Sequence, residues 1–510
     1  MNKYKGKSIF LLGLILLGGI GLRLYELGSH DLWFDEVCTS YRAADLVRYL
    51  FLDMNPPLYY VFVHFWTNFF GNSEFQLRFT SVIFGVASIF VLYKLGKLLL
   101  DKQTGLISAF LLSISPIHIW YSQEARGYTF SIFTVLVSTY FFILSLRKNK
   151  ASLWFAFALS SVISLYSSYF YLFILIGGLS VLIFVKEYRG LIKAWVLSAC
   201  FILICFLPFL GVFFNHARSV RNNFWITVPS AGSLLVTFEN FNAGYNAGTV
   251  VYLLSTILFL LLLIRALMQG IRKHKDALII LLAFSCLPIA IIFVISQWVP
   301  IYIDRQIILC LPFYYIIVAL GINSIKKHPA FKMMILFCIF ALSALALLNY
   351  FSDSMPAPYA HHIGTYTKKP FAPAVSYVKE HYRPGDAIIH TNPVTTVSFE
   401  YYWNNPGQTD RYPFAVSYFL ILSKGDGYWQ EAVRNPLKNS PQEADKISNF
   451  KQNIRRNKFK RIWLISSSWD RGRKPDENSK AMKELIGKYY VAADQQEFEG
   501  IFITLYNSKE

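Results

Sequence analysis

A few ionisable residues at the edges of apolar stretches are the part of this sequence that could do chemistry. They are Asp35-Glu36, Arg78, Glu124, Arg126 and Asp304-Arg305. A carboxylate can take the proton from an attacking hydroxyl, and an arginine binds phosphate through two parallel hydrogen bonds. Together these groups suit a substrate that carries a phosphate on a lipid anchor. The alternatives are that each arginine reaches headgroups from a span end, and that the acids are solvated loop residues.

A membrane scaffold is needed to bring these groups to one depth. The chain has 510 residues, of which 55% are hydrophobic. Apolar runs of about 20 residues recur as far as Tyr350, and each is long enough to cross a bilayer. From Phe351 the composition becomes that of a soluble domain. We therefore predict a polytopic α-helical membrane protein, residues 1–351, with a second domain over 352–510.

The net charge of +19 belongs mainly to the membrane part. Before residue 352 there are 27 Lys and Arg against 13 Asp and Glu, a net of +14, and after it 22 against 17, a net of +5. Basic loops set the orientation of membrane proteins, so nucleic acid is not expected as a partner. The first span lacks a small-residue cleavage site and is interpreted as a retained anchor. The six cysteines show no pairing pattern, so no disulfide framework is expected.

The segment 58–70 decides the predicted topology. If it lies at the membrane interface, 19 of the 27 basic residues before residue 352 are cytoplasmic and 10 of the 13 acidic residues are external. The positive-inside rule then favours eleven spans over twelve. The N-terminus is expected in the cytoplasm and the second domain outside the cell. The predicted spans are 8–27, 78–100, 103–120, 127–146, 152–168, 170–186, 191–213, 248–268, 276–299, 305–325 and 330–350.

Two outer loops carry further expectations. In the first loop, 28–77, the stretch 42–53 has helical period and mixed charge and is predicted to form an amphipathic helix on the membrane. The Asp35-Glu36 pair is expected in an extended loop, where only one neighbour can face a site. The outer loop 214–247 is rich in Asn, Gly and aromatic residues. It is either a mobile lid or a plain connection.

The second domain shows alternating strand and helix patterns, which are typical of a small α/β layer fold. We predict a helix at 371–383, a strand at 387–390, a basic amphipathic helix at 441–457, a strand at 461–465, a helix near 476–488 and a strand at 501–505. No catalytic constellation is visible in it. Across the chain, Gly6-Lys7-Ser8 lacks the upstream glycine of a P-loop, and no metal-binding His or Cys spacing occurs.

At this point the sequence resembles GT-C-type membrane glycosyltransferases of family 39, the bacterial relatives of protein O-mannosyltransferases and lipid A aminoarabinose transferases. The resemblance covers roughly residues 8–350 and departs from many relatives at Asn55, where they have His. The matching stretches are Asp35-Glu36, Asn55-Pro56-Pro57-Leu58, Phe75-Gln76-Leu77-Arg78, the run Ser115 to Tyr128, Asp304-Arg305 and Leu311-Pro312.

The resemblance implies transfer of a sugar from a polyprenyl-phosphate donor to a hydroxyl, with inversion. The leaving phosphate is a stable anion, so one base suffices, whereas glycosidases use two carboxylates. Asp35 would be the base, and Glu36 would orient it or contact the sugar. The predicted substrate-binding residues are Asn55, Arg78, Glu124, Arg126, Tyr128, Tyr302 and Arg305. Arg305, with Arg78 or Arg126, would stabilise the charge on the phosphate.

Partners and cofactors follow from the same resemblance. We expect membrane lipids and a glycan, lipid or protein acceptor beside the donor. A divalent metal between phosphate and carboxylates is compatible with this chemistry, although nothing in the sequence requires one. Two other classes remain open. A flippase of lipid-linked glycans would show polar residues through the depth of its spans, and a non-catalytic membrane scaffold would leave the grouped charges unexplained.

Overall fold

The computed structural model describes residues 2–52, 55–223, 226–354, 356, 361, 368–403, 417–419, 459–467 and 477–509. The chain forms two compact units. The first comprises Met1–Leu27, Asp45–Phe70 and Phe75–Thr365, and the second comprises Gly28–Ala44, Gly71–Glu74 and Tyr366–Glu510. The second unit therefore includes Gly28–Ala44 and Gly71–Glu74 of the predicted first outer loop in addition to the C-terminal region.

The first unit is helical. Its described helices are α1 Asn2–Leu24, α3 Leu46–Leu52, α4 Leu58–Phe70, α5 Glu74–Leu99, α6 Lys102–Ser113, α7 Pro116–Ser122, α8 Tyr128–Lys148, α9 Ala151–Ser167, α10 Tyr171–Phe184, α11 Ile192–Phe206, α12 Leu210–Asn223, α13 Ala231–Ala243, α14 Thr249–Lys273, α15 Lys275–Ile295, α16 Asp304–Ile307, α17 Leu311–Asn323 and α18 Pro329–Phe351. Glu74, the first residue of α5, falls in the second unit.

Eight stretches in the described part of the chain are long and apolar enough to cross a membrane: Gly6–Leu24, Glu74–Leu99, Tyr128–Lys148, Lys186–Arg218, Thr249–Lys273, Lys275–Ile295, Asp304–Asn323 and Pro329–Phe351. The pair α6 and α7, bent by 61°, would make one more span, and α9 and α10 are shorter apolar helices. Each of the eleven predicted spans falls on one of these segments. The prediction of a polytopic helical membrane protein is confirmed.

The first outer loop differs from the prediction in one respect that matters for chemistry. A helix, α2 Phe34–Ala44, begins directly at the acid pair, and α3 follows it. The expectation of an extended loop at Asp35-Glu36 is therefore wrong. On a helix, successive side chains project about 100° apart, so the two carboxylates do not point to opposite sides. Helix α4 has 13 residues and is too short to cross a bilayer.

The loop predicted over 214–247 contains all of α13 and the last part of α12. The Tyr315 hydroxyl donates a 2.7 Å hydrogen bond to the Phe241 carbonyl, and the Tyr314 hydroxyl donates one of 2.5 Å to Oδ1 of Asn242. Both tyrosines lie on α17, which is buried along its whole length. Helix α13 is thus packed against the spans by side chains that hold its carboxyl end.

Among its described residues, the second unit contains a five-stranded sheet of order β2-β1-β3-β5-β4. The strands are β1 Ala387–His390, β2 Ser417–Phe419, β3 Arg461–Ser467, β4 Tyr490–Phe498 and β5 Ile501–Ser508, and the helices besides α2 are α19 Phe371–His381, α20 Pro393–Trp403 and α21 Glu477–Gly487. Strand β1 is parallel to β2 and β3, while β5 is antiparallel to β3 and β4. The α/β prediction is confirmed.

Three predicted strands are present, at β1, β3 and β5, and β2 and β4 were missed. Strand β4 is mostly exposed, so the hydrophobic alternation that marks a strand is absent from its sequence. The turn to β5 places Glu499 at φ 43° and Gly500 at φ 85°, as in the two-residue hairpins that twist with their strands. The helix predicted at 441–457 lies outside the described residues.

Candidate active site

Asp35 and Glu36 lie in the first turn of α2, in the second unit. Two acidic residues there interact favourably with the positive end of the helix dipole. Glu36 is fully buried, and its Oε2 accepts a 3.2 Å hydrogen bond from the Trp33 backbone N–H. This contact is half of a capping box, in which the side chain of the third helical residue, here Glu36, accepts the backbone N–H of the N-cap residue, here Trp33. Asp35 is half-buried and is the more accessible carboxylate of the two.

The stretch before α2 is held by the C-terminal region of the same unit. The Leu32 N–H donates a 2.7 Å hydrogen bond to the Tyr402 hydroxyl, which itself donates to Oε1 of Glu74. Oδ2 of Asp31 accepts the Ala372 N–H at 2.6 Å. Burial raises the pKa of Tyr402, and the charges of Asp31 and Glu74 raise it further. The neutral phenol can therefore serve as a fixed donor and acceptor that positions the acid pair.

In the first unit, Glu124 and Arg126 lie on the short connection between α7 and α8, and Tyr128 is the first residue of α8. Glu124 is buried, with 4% of its surface exposed, and Oε1 accepts a 2.6 Å hydrogen bond from the indole N–H of Trp120. The Arg126 guanidinium lies 5.9 Å from the ring centroid of Tyr128. The structure thus brings together three of the predicted site residues, which sequence spacing already placed near one another.

Two neighbouring elements fix the Arg126 end of this connection. The Arg126 guanidinium donates a 3.3 Å hydrogen bond to the Tyr60 hydroxyl on α4. The Arg126 carbonyl accepts a 3.0 Å hydrogen bond from the Ser81 hydroxyl on α5. Arg78 lies one turn before Ser81, is fully buried, and donates to the Leu27 carbonyl at 3.1 Å. Arg78 and Arg126 are therefore carried by two elements that contact each other through Ser81.

Arg305 is the second residue of the span that contains α17, and α13 supports the start of this span. Asp304 accepts hydrogen bonds from Oγ1 of Thr237 at 2.6 Å and from the Asn240 amide at 2.5 Å. The Tyr302 hydroxyl donates to Thr237 at 2.9 Å. Burial raises the pKa of Tyr302, so this phenol is neutral and able to donate. The predicted residue Tyr302 therefore contacts α13 and helps to fix the start of this span.

Tyr245 lies between the α7–α8 connection, which carries Glu124, and the start of the span that carries Arg305. Its hydroxyl lies 2.7 Å from that of Tyr121, and the Arg305 charge is close enough to act on the Tyr121 phenol. Burial raises the pKa of Tyr245, and Tyr121 together with the carboxylates of Asp304 and Glu124 raises it further. One phenol thus lies within electrostatic reach of both carboxylates, although they are 180 residues apart in the sequence.

The predicted residues therefore fall into two sets. Arg78, Glu124, Arg126, Tyr128, Tyr302 and Arg305 belong to the first unit, as does the half-buried Asn55 before α4, whereas Asp35 and Glu36 belong to the second. Sequence reasoning did not single out Tyr60, Trp120, Thr237, Asn240 or Tyr245. One available signal was the i, i+3 spacing of Thr237 and Asn240, which places both on one helix face.

This arrangement has the groups that a phosphorylated, hydroxylated ligand needs. Arginines bind phosphate oxygens, phenols donate to them, and a carboxylate held by an indole accepts hydrogen bonds from hydroxyls without first reorganising. Within the described ranges, no three His, Cys, Asp or Glu side chains lie close enough together to hold a metal ion.

The family described as dolichyl-phosphate-mannose-protein mannosyltransferase matches residues 54–212 of the chain. That range contains five of the nine predicted site residues, namely Asn55, Arg78, Glu124, Arg126 and Tyr128. No curated protein sequence is significantly similar to the chain.

Several solved structures are similar to this chain over nearly its whole length. ArnT from Cupriavidus metallidurans in the apo state has a TM-score of 0.65 at 10% identity and aligns over 99% of this chain and 98% of its own. The same protein bound to undecaprenyl phosphate has a TM-score of 0.58 at 11% identity over 98% of each chain. The Archaeoglobus fulgidus oligosaccharyltransferase tethered with an acceptor peptide has a TM-score of 0.53 at 12% identity over 99% of this chain and 74% of its own. At sequence identities this low, the structural similarity shows a shared fold and nothing more specific.

Proposed function

We propose that this chain, which has the fold of the GT-C membrane glycosyltransferases, is an inverting glycosyltransferase. It moves a sugar from a polyprenyl-phosphate donor to a hydroxyl acceptor at the outer face of a bacterial inner membrane. The observation that carries the proposal is the cluster of Glu124, Arg126, Arg305 and their phenol partners at the ends of spans in one unit. Such groups suit a phosphate that stays at the membrane surface while its sugar is transferred.

The proposed step needs one base and no acid. The acceptor oxygen attacks the anomeric carbon as the bond from that carbon to the phosphate oxygen breaks, which inverts the configuration. The hydroxyl proton goes to the carboxylate of Asp35, and the polyprenyl phosphate leaves as an anion. Asp35 is assigned this role rather than Glu36 because Glu36 is buried and already accepts the Trp33 N–H.

The arginines have the complementary role. Negative charge accumulates on the leaving phosphate as the bond breaks, and fixed guanidinium groups stabilise charge that develops in the transition state. Arg305, with Arg78 or Arg126, is assigned to the phosphate. Glu124 is assigned to a hydroxyl of the acceptor or the sugar, and Tyr128, Tyr302 and Asn55 complete the proposed substrate-binding residues.

The similar structures support a donor of this class. ArnT is described bound to undecaprenyl phosphate, and the oligosaccharyltransferase is described with a tethered acceptor peptide. We infer that the present chain takes a polyprenyl phosphate in the same general manner. The acceptor is a glycan, a lipid or a protein, and the sugar is a hexose or pentose.

The test is sugar transfer by the full chain, purified and reconstituted in lipid nanodiscs. A panel of polyprenyl-phosphate sugars is supplied with envelope lipids, glycans and proteins as acceptors, with and without a chelator. Mass spectrometry of both products is expected to show a glycosylated acceptor and free polyprenyl phosphate in equal amounts.

The Glu187→Gln variant is a control, because Glu187 is an exposed carboxylate in another part of the chain. It should transfer sugar at the wild-type rate. Wild-type protein that cleaves no donor in the panel and does not bind undecaprenyl phosphate would contradict the proposal. In proteoliposomes, movement of an intact donor between leaflets without cleavage would favour the flippase alternative.

A further inference from the structure

Arg23 is a buried arginine near the end of α1, and the proposed function gives it no role. It is fully buried, and every one of its five N–H groups has an acceptor. The acceptors are Oγ of Ser122 at 3.1 Å, the Gly19 and Ser113 carbonyls at 2.9 and 3.0 Å, the Leu112 carbonyl at 3.1 Å and Nδ1 of His118 at 2.8 Å. A guanidinium has five donors and no acceptor, so its hydrogen-bonding capacity is fully used.

The break between α6 and α7 explains why an arginine is needed at this point. In a continuous helix the Leu112 carbonyl would accept the N–H of residue 116, but Pro116 has none. The chain bends by 61° there, and the last carbonyls of α6 lose helical partners. Arg23 donates to two of them, and its positive charge lies at the negative end of the α6 dipole.

The neighbouring helices leave room for this side chain. A Cβ atom on Gly85 of α5 would lie 2.5 Å from Oγ of Ser122 and 3.4 Å from Nε of Arg23. A Cβ atom on Gly19 of α1 would lie 2.8 Å from Ile89 and 3.4 Å from the Arg23 guanidinium. At Gly85 a larger residue would therefore displace Ser122, whereas at Gly19 the first atom met is the flexible end of the Ile89 side chain.

From Arg23 the contacts lead directly to the candidate active site. Ser122, which accepts the Arg23 Nε–H, ends α7. The amide of the next residue, Gln123, donates to the Arg23 carbonyl at 3.1 Å and to the Tyr25 carbonyl at 2.7 Å. The Tyr350 hydroxyl in turn donates to Oε1 of Gln123 at 2.8 Å. The two residues before Glu124 are thus both bound to the end of α1.

We propose that Arg23 is a positioning residue. By satisfying the carbonyls at the α6–α7 break and binding Ser122, it sets the orientation of α7 and thereby the position of the connection with Glu124 and Arg126. Arg23 itself touches no substrate. The proposed function is needed only for the expected effect of Arg23 on ligand binding. The effect of Arg23 on the α7–α8 connection can be measured without a ligand.

The experiment compares hydrogen exchange in four full-chain proteins in nanodiscs: wild type, Arg23→Met, Arg23→Lys and Gly85→Ala. In Arg23→Met we expect amides in 112–127 to exchange roughly tenfold faster or more, because lost hydrogen bonds lower the local opening free energy. Peptides from the second unit should be unchanged. Arg23→Lys keeps the charge and three donors, so its effect should be smaller. Gly85→Ala should displace Ser122 and affect the same peptides.

Arg265→Met is the matched control, because Arg265 is an exposed span arginine that donates to Ser324 at 2.7 Å. It should leave exchange in 112–127 at the wild-type rate. Wild-type exchange in that segment of folded Arg23→Met would overturn the proposal. A uniform increase over the whole chain would also overturn it, since Arg23 would then act on overall stability. If Arg23→Met does not fold, Arg23→Lys and Gly85→Ala test the proposal instead. Wild-type exchange in 112–127, or a uniform increase over the whole chain, in both variants would overturn it.

The second measurement is binding of undecaprenyl phosphate as a probe. If the donor class is right, Arg23→Met should bind it several-fold more weakly, and Arg23→Lys should recover part of the loss. Unchanged binding by Arg23→Met despite faster exchange would overturn the link between Arg23 and the site. If wild type does not bind the probe, the proposed donor class fails, and the exchange data still decide whether Arg23 positions the connection.

Discussion

The indole nitrogen of Trp120 lies 2.6 Å from Oε1 of Glu124, four residues further along the chain. Both side chains are buried, and the Trp120 ring also packs edge-on against Tyr245 at 5.4 Å. The carboxylate is therefore oriented before any ligand arrives. A preorganised carboxylate does not spend binding free energy on its own reorientation.

The first prediction concerns this contact. Trp120→Phe keeps an aromatic ring but removes the N–H donor. A hydrogen bond to a charged group contributes about 1.5–3 kcal/mol, so kcat/KM for sugar transfer should fall roughly tenfold to a hundredfold. Steady-state kinetics measure the change. Trp154→Phe is the control, since the buried Trp154 donates to Asn149 at 3.1 Å in another part of the first unit. Equal kinetics in the two variants would contradict the role of Trp120.

The second prediction concerns Arg305. If it binds the donor phosphate, Arg305→Lys should keep partial activity, because an ammonium keeps the charge but not the planar geometry. Arg305→Ala should raise the donor KM or lower kcat roughly tenfold to a hundredfold. Arg189→Ala removes an exposed arginine that donates to the Ile183 carbonyl and should have no effect. Unchanged donor kinetics in Arg305→Ala would assign Arg305 to headgroup contacts instead.

The third prediction separates the two adjacent acids. Asp35→Asn should lower kcat by about 10²–10⁴-fold, the usual cost of removing a general base, while the protein folds and binds donor. Glu36→Gln should have a smaller effect, because an amide oxygen can still accept the Trp33 N–H. If both variants transfer sugar normally and Glu124→Gln does not, Glu124 is the base. Full activity in all three variants would show that the base lies elsewhere.

The fourth prediction is the orientation in the membrane. In a Cys38→Ser background, a cysteine at Asn72 should react with an impermeant thiol reagent added to intact cells. A cysteine at Lys102 should react only after the membrane is permeabilised. The reason is the concentration of basic residues on the Lys102 side. The reverse pattern would exclude the eleven-span topology.

The fifth prediction is a pH dependence of the second unit. Burial lowers the pKa of His390 at the end of β1 to about 3, against about 6.5 in an unfolded chain. The unfolded state therefore binds the proton more readily, and stability is complete above pH 6.5 and falls as the pH drops towards 3. The slope should approach 1.4 kcal/mol per pH unit. His390→Leu should flatten it.

Unfolding can be followed by the ¹⁹F signal of 5-fluorotryptophan at the buried Trp463, assigned with a Trp463→Phe variant. His381→Leu is the control, because His381 is exposed and its ring lies 2.9 Å from the Tyr377 carbonyl. It should keep the wild-type slope. A wild-type slope in His390→Leu would show that other groups govern the acid sensitivity.

The spans were predictable because each is a local property of about 20 residues. The helix at the acid pair was missed because few of its residues are large and apolar, although the buried ones, Val37, Ser40 and Ala43 among them, recur at helical spacing. Its start is supported by a contact 370 residues away, from Leu32 to Tyr402. Strand β4 was missed for a related reason. It gains its order by pairing with β5, while its own sequence is polar.

Within the candidate site, the residue types were predictable and their partners were not. Glu124 and Arg126 were chosen because ionisable residues are rare in the membrane part. Tyr245 and Thr237 are ordinary loop residues in the sequence, and they matter because they contact Tyr121 and Asp304, 124 and 67 residues away. Local patterns carry no information about which distant element satisfies a given polar group.

The membership of Gly28–Ala44 in the second unit has a practical consequence for anyone who shortens this protein. A chain that stops at residue 365 keeps every apolar span found among the described residues, yet it removes Tyr402 and Ala372, which hold the backbone before Asp35. Conversely, a soluble fragment that starts at residue 366 lacks a helix that belongs to its own fold. Neither piece is a natural module, so deletion experiments on the C-terminal region report on Asp35 as well as on the region deleted.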